Sequence, residues 1–125
     1  MNDIIGHTDR APQPAGPYSQ SRRRGSVVAC AGQAGIRADG SVVEGFIPQF
    51  RQTLENLRET LAASGADLTD VIQVRVFLTD PAQFAEMNEV YAEYFTDPLP
   101  VRTTVTVTLP TPLLVEADLL AVVGD

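Results

Sequence analysis

The chain has 125 residues and a mass of 13.5 kDa, with 44% hydrophobic and 20% charged side chains. One globular domain spanning 1–125 is the expectation, against a multidomain machine or a disordered polymer. Nine basic against sixteen acidic side chains leave a formal charge of −7, and there is one cysteine and one histidine. The balance has the wrong sign for nonspecific nucleic-acid binding, and so few soft ligands cannot close a zinc site or an intrachain disulfide.

Residues 1–25 are punctuated by Pro12, Pro14 and Pro17, so this stretch is no helix interior. Its opening, MNDIIGHTDR, lacks the charged and apolar regions of a signal peptide. No later stretch approaches the ~20 apolar residues of a membrane span. A reducing cytoplasm without a membrane partner is therefore the expected setting.

A first strand is expected at 26–31 and a second around 35–37, where Asp39-Gly40 signals a hairpin returning through Val42 and Val43. Ile47, Phe50, Leu54, Leu57 and Leu61 recur at spacings of three and four, which predicts a helix with Pro48 in its first turn and Gly65 at its C-terminal end. Residues 71–78 (VIQVRVFL) read as a strand. Asp80, Pro81 and Gln83 carry N-cap, first-turn and capping-box signals for a second helix with the stripe Phe84, Met87, Tyr91 and Phe95. Two strands close the chain at 101–109 and 113–123, and the prolines between them fit poorly with a tight hairpin, so these strands are not expected to be sheet neighbours.

Strand 71–78, helix 81–95 and strand 101–109 form a βαβ unit, which requires parallel strands. The two helices are expected to share one face. In strand 101–109 the valines are read as core and Arg102, Thr104 and Thr106 as the polar face. The last strand is apolar on both sides, so the sheet face without helices must be covered, and a second copy of the chain is the expected cover.

Among groups able to do chemistry, His7 reads as a solvated tail residue, Cys30 as a small buried hydrophobe, and Arg22 to Arg24 as a solvated loop. Two residues break their patterns. Arg102 opens a strand, and Glu116 interrupts Leu113-Leu114-Val115 with Asp118 on the same face. A carboxylate in an apolar run must be exposed, paired or retained for a purpose. A guanidinium binds carboxylates in bidentate fashion, and a glutamate can move a proton or position water. A plain Arg-Glu salt bridge would satisfy the same pattern.

The segments APQPAGPYSQ (11–20), AGQAGI (31–36), QTLENLRETLAASGADLTDVIQVRVFLTD (52–80), FAEMNEVYAEYF (84–95), and PVRTTVTV, LP and LVEAD within 100–118 occur in this order. In them the chain resembles the Rid family of reactive intermediate (imine) deaminases, also called YjgF-like. The resemblance implies an α/β (α+β) chorismate-mutase-like mixed sheet with two helices on one face. It further implies a homotrimer with sheets packed inward and clefts between subunits. Archetypal members hydrolyse 2-enamine and 2-imine acids, such as 2-iminobutanoate and 2-iminopropanoate/2-aminoacrylate, to 2-oxo acids and ammonia, without metal or cofactor. By this likeness Arg102 matches the arginine that grips the substrate carboxylate, and Glu116 the glutamate of the catalytic water. Tyr18 lines the cleft, the backbone at Gly32 faces the ligand, and Asn88 lies near it. Thr104 stands where the family often carries cysteine and is counted with the substrate-binding residues. Arg102 and Glu116 are thus expected to converge in one crevice. A non-catalytic trimer that binds small carboxylates is the alternative on the same fold. A third reading is a deaminase for aminoacrylate-type pyrimidine intermediates or aminomuconate.

Overall fold

A computed structural model describes residues 3–124. Six strands form one mixed sheet: β1 (Ile4–Gly6), β2 (Ser21–Arg24), β3 (Val27–Ala34), β4 (Val71–Leu78), β5 (Val101–Thr106) and β6 (Val115–Val122). Their order across the sheet is β1-β2-β3-β6-β4-β5. β4 runs parallel to β5 and antiparallel to β6, so the βαβ expectation holds and the last two strands are not neighbours. Two helices, α1 (Phe46–Ala62) and α2 (Phe84–Tyr94), pack on one face.

The stripe of α1 buries Phe46, Phe50, Leu54, Leu57 and Leu61, with Ile47 at its margin. The chain reverses after this helix at Gly65, whose φ of 78° is left-handed and suits a residue without a Cβ. Beneath the helices lie Val28 and Cys30 of β3, Val74, Val76 and Leu78 of β4, and Val115, Ala117, Leu119 and Ala121 of β6. Alternation then sends Glu116, Asp118 and Leu120 to the opposite face, together with Arg75 and Phe77 of β4.

Several local expectations need correction. Residues 3–25 carry two strands ahead of the first one expected. These are β1 and β2, in which Ile4, Ile5 and Gly6 pair with Arg23, Arg22 and Ser21. Arg22 to Arg24 therefore lie on a strand, where Arg23 donates to the Gly25 carbonyl at 2.8 Å. His7 is held at an ordered edge, with its Nε2 2.7 Å from Gln13 Oε1. The 35–43 hairpin reduces to one bridge between Ile36 and Val42. Asp80 caps a short 3-10 turn at Pro81–Gln83 that leads into α2, and the Gln83 side-chain oxygen makes no reciprocal capping bond. The faces of β5 are reversed. Arg102 pairs with the buried Val74 and so points to the helix side, while Val101 and Val105 lie on the uncovered face, 67% and 42% exposed.

A second stripe of α1 is polar yet buried: Gln49, Thr53, Asn56 and Thr60. Its amides fasten loops. Asn56 Nδ2 donates to the carbonyls of Ala34 (3.3 Å) and Ile36 (2.8 Å). Gln49 accepts from the Leu114 amide at 2.8 Å and donates to the Pro112 carbonyl at 3.0 Å, which fixes the approach to β6. Gln49→Ala would strand both backbone groups, so a loss of roughly 2–4 kcal/mol is expected in chemical denaturation.

Candidate functional site

Chemistry-bearing side chains gather in two places. The first is a cavity of about 170 Å³ at the end of the uncovered sheet face, lined by Tyr18, Gly32, Leu113, Ile36 and Glu116 beneath the 12–15 loop. That loop is pinned by the buried Gln20, whose side-chain oxygen accepts from the Thr8 amide at 2.7 Å. Its amide nitrogen donates to the carbonyls of Pro12 at 2.8 Å and Thr8 at 3.1 Å. Tyr18 is half exposed, and its hydroxyl accepts from the Ala15 amide at 3.1 Å, which sets the ring at the cavity mouth.

Gly32 sits where the β3–β6 register shifts, between Cys30 and Gln33. A Cβ there would lie 2.7 Å from Glu116 Oε2, so the carboxylate rests directly against the glycine backbone. Burial, and secondarily the negative charge of Asp118, raises the Glu116 pKa above the usual carboxyl value. Asp118 is itself gripped by Arg75, with contacts of 2.9 and 2.6 Å. The cavity thus carries a carboxylate biased towards accepting a proton.

The second place is the seam between α2 and β5. Arg102 is half-buried, and its guanidinium carbon lies 4.7 Å from the Tyr91 ring centroid and 5.6 Å from that of Phe84. Arg51, Arg58 and Arg75 each pair with a carboxylate, but among the described residues Arg102 makes no ion pair or hydrogen bond. Thr104 follows on the same face with its hydroxyl buried and unpartnered, as is the Tyr91 hydroxyl. Asn88, one turn beyond Phe84 on α2, is half-buried.

The structure therefore groups Tyr18 and Gly32 with Glu116, and places Thr104 and Asn88 on the strand and helix that form the Arg102 seam. It does not bring the two groups together. Glu116 pairs with Phe77 and Arg102 with Val74, on opposite sides of β4. That puts their backbones about 14 Å apart, with side chains leaving opposite faces of the sheet. The expectation of one shared crevice fails within a single chain, and so does an Arg102–Glu116 salt bridge.

Of the bystanders, Cys30 is buried, and its thiol is pushed up to about 11, chiefly by burial, with Asp118 adding to the rise and a Thr60 hydrogen bond opposing it. This is an unreactive thiol. Sequence reasoning read Phe84 and Tyr91 as core, which holds for Tyr91, and missed both as neighbours of Arg102. Their spacing with Asn88, four and then three residues, was the available signal. It also missed Gln20 and the polar stripe led by Gln49, although the latter is legible in the spacing of 49, 53, 56 and 60. Among the described residues no three potential metal ligands come together, and no helix is long and apolar enough to cross a membrane.

Comparison with known proteins places these features. Residues 8–123 match the family described as Endoribonuclease L-PSP. A RutC family protein of Pyrococcus horikoshii is 46% identical over 97% of this chain and 98% of its own. The chloroplastic Reactive Intermediate Deaminase A of Arabidopsis thaliana is 39% identical over 78% of this chain and 53% of its own. The crystal structure of E. coli TdcF with bound serine superposes with a TM-score of 0.90 at 35% identity, covering 97% of this chain and 99% of that one.

Proposed function

The chain belongs to the Rid (YjgF/RutC) family, and we propose that it hydrolyses 2-enamine and 2-imine acids, such as 2-iminobutanoate and 2-iminopropanoate/2-aminoacrylate, to 2-oxo acids and ammonia. The observation that carries this reading is the desolvated Glu116 lining a small cavity with Tyr18 and Gly32. The uncommitted Arg102 supplies the complementary anion grip. Because the two lie on opposite faces of one sheet, the complete site is formed by Arg102 of one subunit and Glu116 of its neighbour. The exposed Val101 and Val105 support such an assembly, a homotrimer in this reading, with the helix-free faces packed inward.

In the proposed reaction Arg102 holds the substrate carboxylate in bidentate fashion, which fixes the imine carbon against the neighbouring cavity. Thr104 and Asn88 line the carboxylate end, and Tyr18 with the Gly32 backbone closes the other. Water adds to the electrophilic carbon of the protonated imine while the Glu116 carboxylate takes one of its protons. The resulting carbinolamine receives that proton on nitrogen. The carbon–nitrogen bond then breaks, the carbonyl forms as the again ionised Glu116 carboxylate takes the hydroxyl proton, and ammonia leaves. The chemistry asks for orientation and one proton carrier, with no cofactor. A buried free thiol suits a reducing compartment such as the cytoplasm. The net charge of −7 disfavours an RNA substrate.

The non-catalytic alternative rests on the same carboxylate grip, and the neighbour solved with serine holds a molecule of that kind. The deciding experiment generates 2-iminobutanoate in situ with a dehydratase or amino-acid oxidase in the presence of semicarbazide. Diversion of flux to 2-oxobutanoate is expected, and unchanged semicarbazone formation would leave only carboxylate binding. Gly32→Ala, whose methyl would displace the Glu116 carboxylate, is expected to slow turnover by about 10- to 100-fold with circular dichroism unchanged.

A further inference from the structure

We propose that Tyr91 and Phe84 are positioning residues for Arg102, holding its guanidinium by the aromatic rings so that its N–H groups stay free for the substrate carboxylate. The inference rests on the reading of Arg102 as the carboxylate anchor. An arginine has many rotamers, and ordering it on binding would cost affinity. Three other arginines are held by acids: Glu93 holds Arg51, Glu55 holds Arg58 and Asp118 holds Arg75, and in the last two a ring (Tyr94, Phe77) lies beside the acid rather than in its place. An acid at Arg102 would order it equally well but would occupy the donors that an incoming carboxylate needs. Aromatic rings attract a cation through its field and accept no such hydrogen bond, so they order the group without neutralising it.

The geometry fits that division of labour. The guanidinium carbon is 4.7 Å from the Tyr91 centroid and 5.6 Å from the Phe84 centroid, both within cation–π range. Tyr91 is a rigid platform, 7% exposed and packed at a tilt against the Phe95 ring, centroids 4.6 Å apart. Phe84 is 46% exposed, so burial does not explain a phenylalanine there, whereas contact with Arg102 does. The Tyr91 hydroxyl has no partner among the described residues, so the ring is the part that acts.

The test measures 2-oxobutanoate binding by calorimetry and 2-iminobutanoate turnover for the wild type, Tyr91→Phe, Tyr91→Leu and Phe84→Leu. Tyr91→Leu is expected to weaken binding and raise KM about 10-fold with kcat within about twofold, and Phe84→Leu to do so about threefold. Tyr91→Phe, which keeps the ring, is expected to stay within about twofold of the wild type. Thermal melts and sedimentation accompany each variant. Should Tyr91→Leu fail to fold, the exposed Phe84→Leu decides alone, and wild-type affinity there overturns the inference. Equal binding by all folded variants also overturns it, as does a Tyr91→Phe defect matching that of Tyr91→Leu, or no binding by the wild type at millimolar ligand. Ring-dependent binding without any turnover would support this inference while sinking the deaminase reading.

Discussion

Two inactive proteins are expected to restore each other. Arg102→Ala removes the anion grip and Glu116→Gln removes the proton acceptor, and each alone is expected to cost about a thousandfold in turnover or more. Co-refolded in equal amounts, they are expected to recover about a quarter of the wild-type rate, because a site drawing one group from each of two neighbours finds both intact in that fraction of random pairings. The reason is geometric. Arg102 leaves the helix side of an edge strand, Glu116 leaves the other face of a central strand, and β4 lies between them. No rotamer change carries either side chain through a hydrogen-bonded sheet. Continued inactivity of a mixture shown by sedimentation to contain hybrids would return both groups to one chain and contradict this arrangement.

The pH profile of the wild type is the second large effect. Glu116 must be ionised to take a proton from water, and burial together with Asp118 raises its pKa above the ordinary 4.5. Turnover is therefore expected to fall on acidification at a pH above 4.5, and Asp118→Asn is expected to move that limb to lower pH by removing the repelling charge. A limb unmoved by Asp118→Asn would assign the titration to another group. The same shift makes a stability statement. The folded state disfavours the ionised form, so this carboxyl lowers stability progressively as pH rises from 4.5 through its folded pKa. Glu116→Gln is expected to melt above the wild type at neutral pH, and the advantage should vanish below pH 4.5, where both folded and unfolded chains carry the proton. Scanning calorimetry at two pH values reads this directly. Lost activity with gained stability would mark a residue kept for chemistry rather than for the fold.

The wrong strand assignments share one cause. The alternation in 101–109 predicts the valines as core, yet Val101 and Val105 lie on the sheet face that the helices leave uncovered. Arg102 and Thr104 are read as the polar face opposite the core, yet they sit under α2 at the sheet's edge. The hairpin read from Asp39-Gly40 shrank to a single bridge, since only Ile36 and Val42 meet there. By contrast α1, α2, β4 and the parallel crossover were legible throughout. Their apolar spacing and the Asp80-Pro81 start signal act over a few residues.

What the amino-acid order determined by itself was the run of elements, the βαβ connection and the identity of the two residues that break their patterns, because these depend on local periodicity and chain connectivity. Which side of the sheet each of those residues occupies was decided only by the tertiary structure. Strand order and register come from pairing between segments dozens of residues apart, and a one-residue change in register sends every side chain to the opposite face. Arg102 and Glu116 each pair with β4, and their registers there send the guanidinium to one face and the carboxylate to the other.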